Sequence, residues 1–273
     1  MKKLVTLAAT AILGSALLLA GCGGTSTDKA ADSNTKTVKI GATAVPHGEL
    51  LSNVKEQLKK EGINLEIVEF TDYVKPNMAL NDKELDANFF QHKPYLDKYN
   101  AEHKTELVSI GNVHVEPMAV YSKSLKDIKT VANGAKVAVP NDPSNGARAL
   151  LILHKAGLIT LNDPKNILST VADIKENPHN LQFVELEAPQ LPRSLDDVAF
   201  AVINTNYAME ANLNPVKDSL LIEDKDSPYA NIVAVRKGDE NKPELQKVLK
   251  ALQSAETKKF IEEKYKGAIL PAF

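Results

Sequence analysis

The N-terminus constrains this chain most strongly, because it predicts an exported protein with a single cysteine. Lys2 and Lys3 precede an uncharged apolar run over residues 4–20, and Gly21 and Cys22 follow it. A basic start, a short apolar run and small residues before a cut are typical of a secretory signal peptide. Cys22 is the only cysteine of the 273 residues, so no disulfide can form within the chain. An exported chain of this kind must be stabilised by core packing.

The residues around Cys22 also predict a lipid anchor. Leu19-Ala20-Gly21-Cys22 resembles the lipobox of bacterial lipoproteins, whose cysteine thiol receives a diacylglyceryl group. The alternative is an ordinary signal peptide that ends near a free thiol. We expect a signal peptide over residues 1–21 and a lipidated Cys22. A flexible tether rich in Gly, Ser and Thr follows over residues 22–37, and the protein is then held on the extracytoplasmic face of a membrane.

Composition and motifs argue against several classes of function. Lys plus Arg of 33 against Asp plus Glu of 35 gives a formal charge of −2, which lacks the basic excess of nucleic-acid-binding proteins. The sequence contains no GxSxG or HExxH motif, and Cys22 leaves no free thiol once acylated, so we do not expect an enzyme. The six histidines are scattered along the chain, so we expect no metal site and no cofactor. We also expect a monomer. An exported hydrolase and a metal-binding receptor remain as alternatives.

Strand and helix signals alternate after the tether, a pattern typical of α/β layers with largely parallel sheets. Short apolar runs predict strands, and amphipathic stretches between most of them predict helices. The predicted strands lie at residues 38–42, 64–70, 84–90, 107–115, 118–121, 135–139, 182–186, 200–203 and 232–235.

The run NFFQHKPYL over residues 88–96 predicts a ligand-contacting turn. It places Phe90 and His92 where a strand passes into a helix, and open α/β sheets bind ligands beside such strand ends. Phe89 and Phe90 point to opposite faces of the strand, so we expect one of them in the core. The alternative is that both are core residues and that His92 is a solvated helix cap.

The run PNDPSNGARAL over residues 140–150 predicts an anion site. It passes from a strand into a helix, and free amides at a helix N-terminus favour an anion. Only three of the 33 cationic residues are arginines, and Arg148 lies near the helix start, where the helix dipole disfavours a cation. We therefore expect Arg148 to hold both oxygens of an external carboxylate by parallel hydrogen bonds. The alternative is an intramolecular salt bridge.

Asparagines follow or precede two further strands. Asn204 and Asn206 come directly after the apolar run 200–203, and Asn231 precedes the run 232–235. Their amides can both donate and accept hydrogen bonds. Each signal alone is weak, because Asn is common at caps and turns.

Taken together, these runs resemble a known family. With HGE at residues 47–49 and SPYANI at residues 227–232, they are similar to the NlpA, or MetQ, family of methionine-binding lipoproteins of bacterial ABC importers. The resemblance covers essentially the whole chain after the tether. It implies an α/β fold of the periplasmic-binding-protein type II class, with two α/β lobes and a ligand cleft between them. We expect residues 38–121 and 232–273 in the first lobe and residues 122–231 in the second.

The resemblance also implies a ligand set and partners. The ligand would be methionine, and the partners an ABC permease with its ATPase subunit. The runs hold no obvious carboxylate for the ammonium group, so amide carbonyls are expected to bind it. A same-fold receptor for a methionine-containing dipeptide or another small organosulfur acid is the alternative. The implied residues are Tyr73 and Phe90 around the methionine side chain, His92 and Tyr95 in the pocket lining, Arg148 on the α-carboxylate, and Asn206 and Asn231 on the polar groups of the α-carbon.

Overall fold

Two mixed β-sheets with helices packed against them form the body of the protein in the computed structural model, which describes residues 35–224 and 227–273. The predicted signal peptide, the predicted lipidation site Cys22 and the predicted tether up to residue 34 lie outside the described residues. Within the described ranges, no helix combines the length and the apolar character needed to cross a bilayer.

The strands follow the chain in the order β1 (Lys36–Ala42), β2 (Ile63–Glu69), β3 (Ala87–His92), β4 (Leu107–Val115), β5 (Ala119–Tyr121), β6 (Lys136–Pro140), β7 (Thr160–Leu161), β8 (Ile174–Glu176), β9 (Gln182–Leu186), β10 (Phe200–Ile203), β11 (Leu221–Ile222), β12 (Ala230–Arg236) and β13 (Leu270–Pro271). The α-helices are α1 (Glu49–Lys60), α2 (Lys75–Asn81), α3 (Lys93–His103), α4 (Pro143–Lys155), α5 (Leu191–Ser194), α6 (Thr205–Glu210), α7 (Pro243–Leu252) and α8 (Ala255–Tyr265).

Each large sheet combines parallel and antiparallel pairs. The first has the strand order β13-β4-β12-β3-β1-β2, and the second has the order β11-β5-β10-β6-β9. β1 runs parallel to β2 and β3, whereas β12 runs antiparallel to β3 and β4. In the second sheet β6 is parallel to β9 and β10, and β5 is antiparallel to β10 and β11. The expectation of largely parallel sheets is therefore wrong. β4 is followed by a strand of the second sheet, and β12 is preceded by one. Neither strand is therefore joined to its neighbour in the first sheet by the crossover connection that parallel neighbours require.

Amphipathic helices cover the sheets and complete two cores. In the first sheet, Val38 and Ile40 of β1 are buried with Leu51 and Val54 of α1, as the three- and four-residue spacing of these helix positions predicts. In the second sheet, Val139, Leu150, Leu153 and Phe200 are among the buried residues between β6, β10 and α4.

The chain passes between the sheets twice. It leaves the first sheet after Val115 and enters the second at Ala119, and it returns from Ile222 to Ala230. These transitions lie a few residues from the lobe boundaries expected at residues 121/122 and 231/232. β5, placed in the first lobe by the sequence analysis, pairs with β10 and β11 of the second sheet. The polar residues Ser122, Lys123 and Ser124 after β5 suggest a boundary there, whereas the chain leaves the first sheet earlier, at Glu116 and Pro117.

Candidate ligand-binding site

One cavity, which we call the cleft, brings together all seven ligand-binding residues expected from the sequence. Its enclosed volume is about 20 Å³, enough for roughly one water molecule, so the lining residues lie close together in this structure. The expected residues in its lining are Tyr73, Phe90, His92, Tyr95, Arg148, Asn206 and Asn231. Six further residues, which the expected ligand set did not include, complete the lining: His47, Gln91, Glu116, Asn145, Asn204 and Thr205.

The end of β3 divides its two phenylalanines between the core and the cleft. Phe89 is fully buried in the core of the first sheet, and Phe90 lines the cleft. Successive strand residues point to opposite faces, which accounts for the division. The sequence expectation of one core phenylalanine is confirmed.

His92 ends β3 and caps α3. Its Nδ1 accepts a hydrogen bond from the Tyr95 amide at 3.2 Å, and its Nε2 lies 3.1 Å from Oδ1 of Asn145. Burial, with a contribution from the positive charge of Arg148, lowers the pKa of His92 to about 3. The ring is therefore neutral and donates through Nε2. His92 is a helix cap, but it is only 5% exposed and is not a solvated one.

Three aromatic rings form the apolar part of the lining. The ring centroids of Tyr73, Phe90 and Tyr95 lie 6.0 Å apart in each pair. The Tyr95 hydroxyl donates to the Tyr73 carbonyl at 2.9 Å, which fixes two of the rings relative to each other. A ligand side chain in contact with the faces of two rings needs a separation of about 7 Å between those faces. A side chain that enters between Tyr73 and Phe90 must therefore move the rings apart or lie along their edges.

The N-terminus of α4 is capped by the protein itself. Oδ1 of Asp142 accepts from the backbone amide of Asn145 at 2.9 Å, and its carboxylate also accepts from the Asn145 side chain. The expectation that free amides of this turn await an external anion is therefore wrong, because the Asp142 side chain already accepts the hydrogen bond of the Asn145 amide. Arg148 lies one turn further along the helix.

Arg148 is held on several sides. Its Nε donates to Glu223 at 3.0 Å, and its Nη2 also donates to this carboxylate. Nη2 further donates to the backbone carbonyl of Glu116 at 2.7 Å, and the guanidinium lies 4.4 Å from the ring centroid of Tyr229. The intramolecular salt bridge is thus present, and Arg148 also lines the cleft. Nη1 makes no hydrogen bond in the described part of the chain. Since Nε and Nη2 already donate to protein oxygens, Nη1 is the one guanidinium nitrogen without a partner among the described residues.

Two asparagines leave buried amide atoms without partners. Asn206 Oδ1 accepts from the Tyr73 hydroxyl at 2.6 Å, and Asn204 Nδ2 donates to Asn145 at 2.9 Å. Nδ2 of Asn206 and Oδ1 of Asn204 are buried and have no hydrogen-bond partner. Buried polar atoms are nearly always paired in proteins. The cleft lining thus contains one donor and one acceptor that no described residue pairs.

A buried carboxylate, Glu116, is the main addition to the expected site. Its Oε1 lies 2.8 Å from Nε2 of His114 and 3.2 Å from Nε2 of His47. Burial alone would raise the pKa of Glu116, but His47, His114 and Arg148 together outweigh burial and lower it. Oε2 makes no hydrogen bond among the described residues. The cleft therefore contains an ionised carboxylate with one oxygen uncommitted.

His47, His114 and Glu116 also form the kind of cluster that can hold a metal ion. Their ligand atoms lie within 4.8 Å of one another, and all three residues are buried. Although they are far apart in the sequence, His47 and His114 lie together in the structure. Nε2 of His47 lies between two acceptors, Glu116 and Oδ1 of Asn231 at 3.0 Å, so it carries a proton and cannot ligate a metal in this arrangement. Hydrogen bonds therefore account for the Nε2 atom of His47 and the Oε1 atom of Glu116, whereas Nδ1 of His114 is buried without a partner among the described residues.

A signal for Glu116 was present in the sequence. His114 and Glu116 are separated by one residue at the end of β4, so they point to the same face. Asn231 is the backbone partner of both His92 and His114 across the sheet. These pairings between distant segments, which bring Glu116 to the cleft, are not visible in a single sequence.

The buried histidines predict a pH-dependent stability. Burial lowers the pKa of His47 to about 4 and that of His92 to about 3, from 6.5. Below pH 6.5 the unfolded chain binds protons that the folded chain excludes, so stability present above pH 6.5 is lost as the pH falls toward 4. We expect a loss on the order of 2 kcal/mol per histidine at pH 4.5. Urea unfolding at pH 7 and 4.5 measures it. His92→Gln should reduce this loss of unfolding free energy, whereas His103→Gln, at an exposed position, should not change it. An equal loss in the two variants would show that His92 is not a source of the pH dependence.

Comparison with known proteins places the chain in a family. The family described as NlpA lipoprotein matches residues 38–273. The D-methionine-binding lipoprotein MetQ of Escherichia coli K12 is 44% identical over 269 residues, which make up 97% of each chain.

Solved structures agree with this match. A nutrient-binding protein from Burkholderia cenocepacia bound to methionine is 48% identical with a TM-score of 0.84, over 86% of this chain and 100% of that chain. A periplasmic substrate-binding protein of an ABC transporter from Coxiella burnetii is 45% identical with a TM-score of 0.83, over 86% of this chain and 100% of that chain. The expected substrate-binding-protein fold is confirmed. On the extent of the family match and the identity to these relatives, the chain belongs to the NlpA lipoprotein family.

Proposed function

We propose that this chain is an extracytoplasmic receptor that binds methionine and delivers it to an ABC importer. The main support for this proposal is that one cleft combines an arginine, an ionised carboxylate, unpaired amide atoms and three aromatic rings. The methionine-bound relative and the E. coli relative named for D-methionine support this choice of ligand.

The polar part of the cleft suits the two charges of an amino acid. Arg148 Nη2 donates to the backbone carbonyl of Glu116, so the cation and the carboxylate occupy neighbouring parts of the lining. The carboxylate and ammonium groups of an amino acid are likewise bonded to one carbon atom. We infer that Arg148 Nη1 and Asn206 Nδ2 bind the ligand carboxylate. Glu116 Oε2 and Asn204 Oδ1 bind the ammonium group, and Asn231 lies beside them.

The apolar part suits a thioether. Sulfur–aromatic contacts contribute about 0.3 to 1.5 kcal/mol each, and Tyr73, Phe90 and Tyr95 offer three rings. The enclosed volume of about 20 Å³ is far below the roughly 300 to 1,000 Å³ of small-molecule sites. The lining must therefore move apart to admit any ligand, and the calorimetric comparison of methionine with a methionine-containing dipeptide decides between them.

The proposal includes a membrane anchor and transport partners. A lipidated Cys22 holds the receptor on the extracytoplasmic face, and an ABC permease with its ATPase subunit receives the ligand from a monomeric receptor. Catalysis is not part of the proposal, because the polar groups of the cleft pair with the charges of the ligand and include no nucleophile activated by a base.

Calorimetric titration tests the ligand directly, since the absence of tryptophan removes the usual fluorescence signal. L-methionine, D-methionine, norleucine, a methionine-containing dipeptide and a panel of other amino acids should be titrated into protein freed of bound ligand by unfolding and refolding. We expect the tightest binding for a methionine enantiomer. Tighter binding of the dipeptide, or of an amino acid without an apolar side chain, would overturn the proposal.

Adjacent phenylalanines provide a matched test of the aromatic lining. Phe90→Ala should weaken methionine binding by about 1 to 3 kcal/mol, because apolar contact with the ligand is lost. Phe89→Ala should instead lower the free energy of unfolding by about 3 to 5 kcal/mol, because it leaves a hole in the core. Calorimetry and urea unfolding on both variants measure the two effects. An unchanged methionine affinity in Phe90→Ala would show that Phe90 does not contact the ligand.

Replacement of the single cysteine tests the anchor. Wild-type protein expressed with its signal peptide in a bacterial host should sediment with membranes, because two acyl chains give stable attachment where one does not. Cys22→Ser should be released in soluble form or remain as an uncleaved precursor. Fractionation followed by mass spectrometry of the mature N-terminus reads the result. Soluble wild-type protein after normal export would contradict the anchor.

A further inference from the structure

The charge of Arg148 is matched by the protein itself. Glu223 accepts hydrogen bonds from Nε and Nη2, and the two side chains are only 3% and 11% exposed. Among the described residues, no other carboxylate is paired with Arg148. The cation assigned to the ligand carboxylate thus already has a counter-ion.

We propose that Glu223 is an affinity-setting residue whose carboxylate weakens the hold of the cleft on the ligand carboxylate. The inference rests on the proposed function, because it concerns how tightly that same site binds an α-amino acid. It assigns to Glu223 a role in specificity through charge, not through contact with the ligand.

The position of Glu223 supports this role. Arg148 lines both the cleft and a second cavity next to α4 and β11, whereas Glu223 lines only the second. The guanidinium therefore lies between Glu223 and the ligand. A ligand carboxylate bound at Nη1 would lie roughly 6 Å from Glu223 with water largely excluded, a distance at which like charges repel strongly. The ammonium group, bound at Glu116, is further away and offsets this repulsion only in part.

Glu223→Gln isolates the charge from the geometry. The glutamine oxygen can still accept from Nε of Arg148, so the guanidinium keeps its orientation, while the negative charge is removed. We expect methionine to bind ~3- to 10-fold more tightly to this variant. Methioninamide, which keeps the ammonium and the thioether but has no carboxylate, should bind more weakly to the variant by a similar factor. Loss of structural support for Arg148 would weaken the binding of both ligands. Only the electrostatic role predicts that the two affinities change in opposite directions.

Asp224 provides the matched control. It is the next residue, and it forms an exposed ion pair with Lys155 at 3.1 Å. Asp224→Asn makes the same change of charge in the same segment, but solvent screens it. We expect the affinity for either ligand to change by less than about twofold in this variant.

The deciding experiment is calorimetric titration of methionine and methioninamide into wild type, Glu223→Gln and Asp224→Asn, with thermal unfolding of each empty protein. Opposite shifts confined to Glu223→Gln support the inference. An unchanged or weaker methionine affinity in that variant, or equal shifts in Asp224→Asn, overturns it. If Glu223→Gln does not fold, Glu223→Asp moves the carboxylate away from the guanidinium by one methylene group. The ratio of the methionine affinity to the methioninamide affinity should then rise, by a smaller factor than in Glu223→Gln. If wild type binds no methionine, the proposed function itself fails, which is a distinct result.

Discussion

Arg148→Ala is expected to weaken methionine binding by about 2 to 5 kcal/mol, because the ligand carboxylate loses the cation that the cleft provides for it. The same substitution should lower the free energy of unfolding by about 2 to 4 kcal/mol, because Glu223 and the carbonyl of Glu116 lose their donor. Calorimetry at a temperature where the variant is folded measures the first effect, and urea unfolding without ligand measures the second. The carboxylate-binding role and the salt-bridge role are therefore not exclusive.

A second arginine separates the two effects. Arg236 pairs with Asp239 at 2.9 Å and donates to the carbonyl of Leu80 at 2.8 Å, and it does not line the cleft. Arg236→Ala should therefore destabilise the fold and leave the methionine affinity unchanged. If Arg148→Ala behaved in the same way as Arg236→Ala, Arg148 would be a structural residue only.

Glu116→Gln is expected to weaken methionine binding by about 1.5 to 3 kcal/mol, the contribution of a hydrogen bond to a charged group. The amide keeps the approximate shape of the carboxylate but cannot neutralise an ammonium group. Calorimetry with methionine and with 4-(methylthio)butanoate, which lacks the ammonium, measures the effect. Wild type should reject the deaminated compound, and Glu116→Gln should discriminate less between the two.

The analogue also gives the result that would refute this role for Glu116. If Glu116→Gln weakened both compounds equally, the carboxylate would act by holding His47 and His114 in place, not by pairing with the ligand. Thermal unfolding of the empty variant shows whether that hydrogen-bonded cluster still supports the fold.

Local patterns predicted most of the architecture. The predicted strands at residues 107–115 and 200–203 coincide with β4 and β10, because apolar runs between polar turns mark strands well. The predicted strand at residues 182–186 coincides with β9, an edge strand whose residues are half-buried or exposed. β3 begins at Ala87 and not at residue 84, because the Asp86 carboxylate accepts from the Lys39 amide at 2.8 Å where the pairing starts. The strands β7, β8, β11 and β13, of two or three residues each, are too short to show an alternating pattern.

The cleft residues that lie in recognisable sequence runs could be predicted. Those that reach the cleft only through pairing between distant strands could not. Phe90, His92, Arg148 and Asn206 lie at strand or helix ends that the sequence marks. Glu116 reaches the cleft because β4 pairs with β12, and Glu223 reaches Arg148 because β11 pairs with β5. Both carboxylates change the electrostatics of the site. Glu223 lies 75 residues from Arg148 in sequence, and Glu116 contacts the distant His47 as well as His114 two residues before it. A local pattern can show only the His114 contact.

The two passages of the chain between the sheets begin and end side by side. Val115, where the chain leaves the first sheet, is the backbone partner of Ala230, where it returns. Residues 116–229 are therefore inserted between two paired strands, β4 and β12, which a short turn could join directly if the insertion were absent. Such modularity allows the inserted half, which carries Arg148 and Asn206, to diverge or be exchanged while the strand pairing of the host half is preserved. New ligand head groups can then be recognised beside an unchanged Phe90 and Asn231.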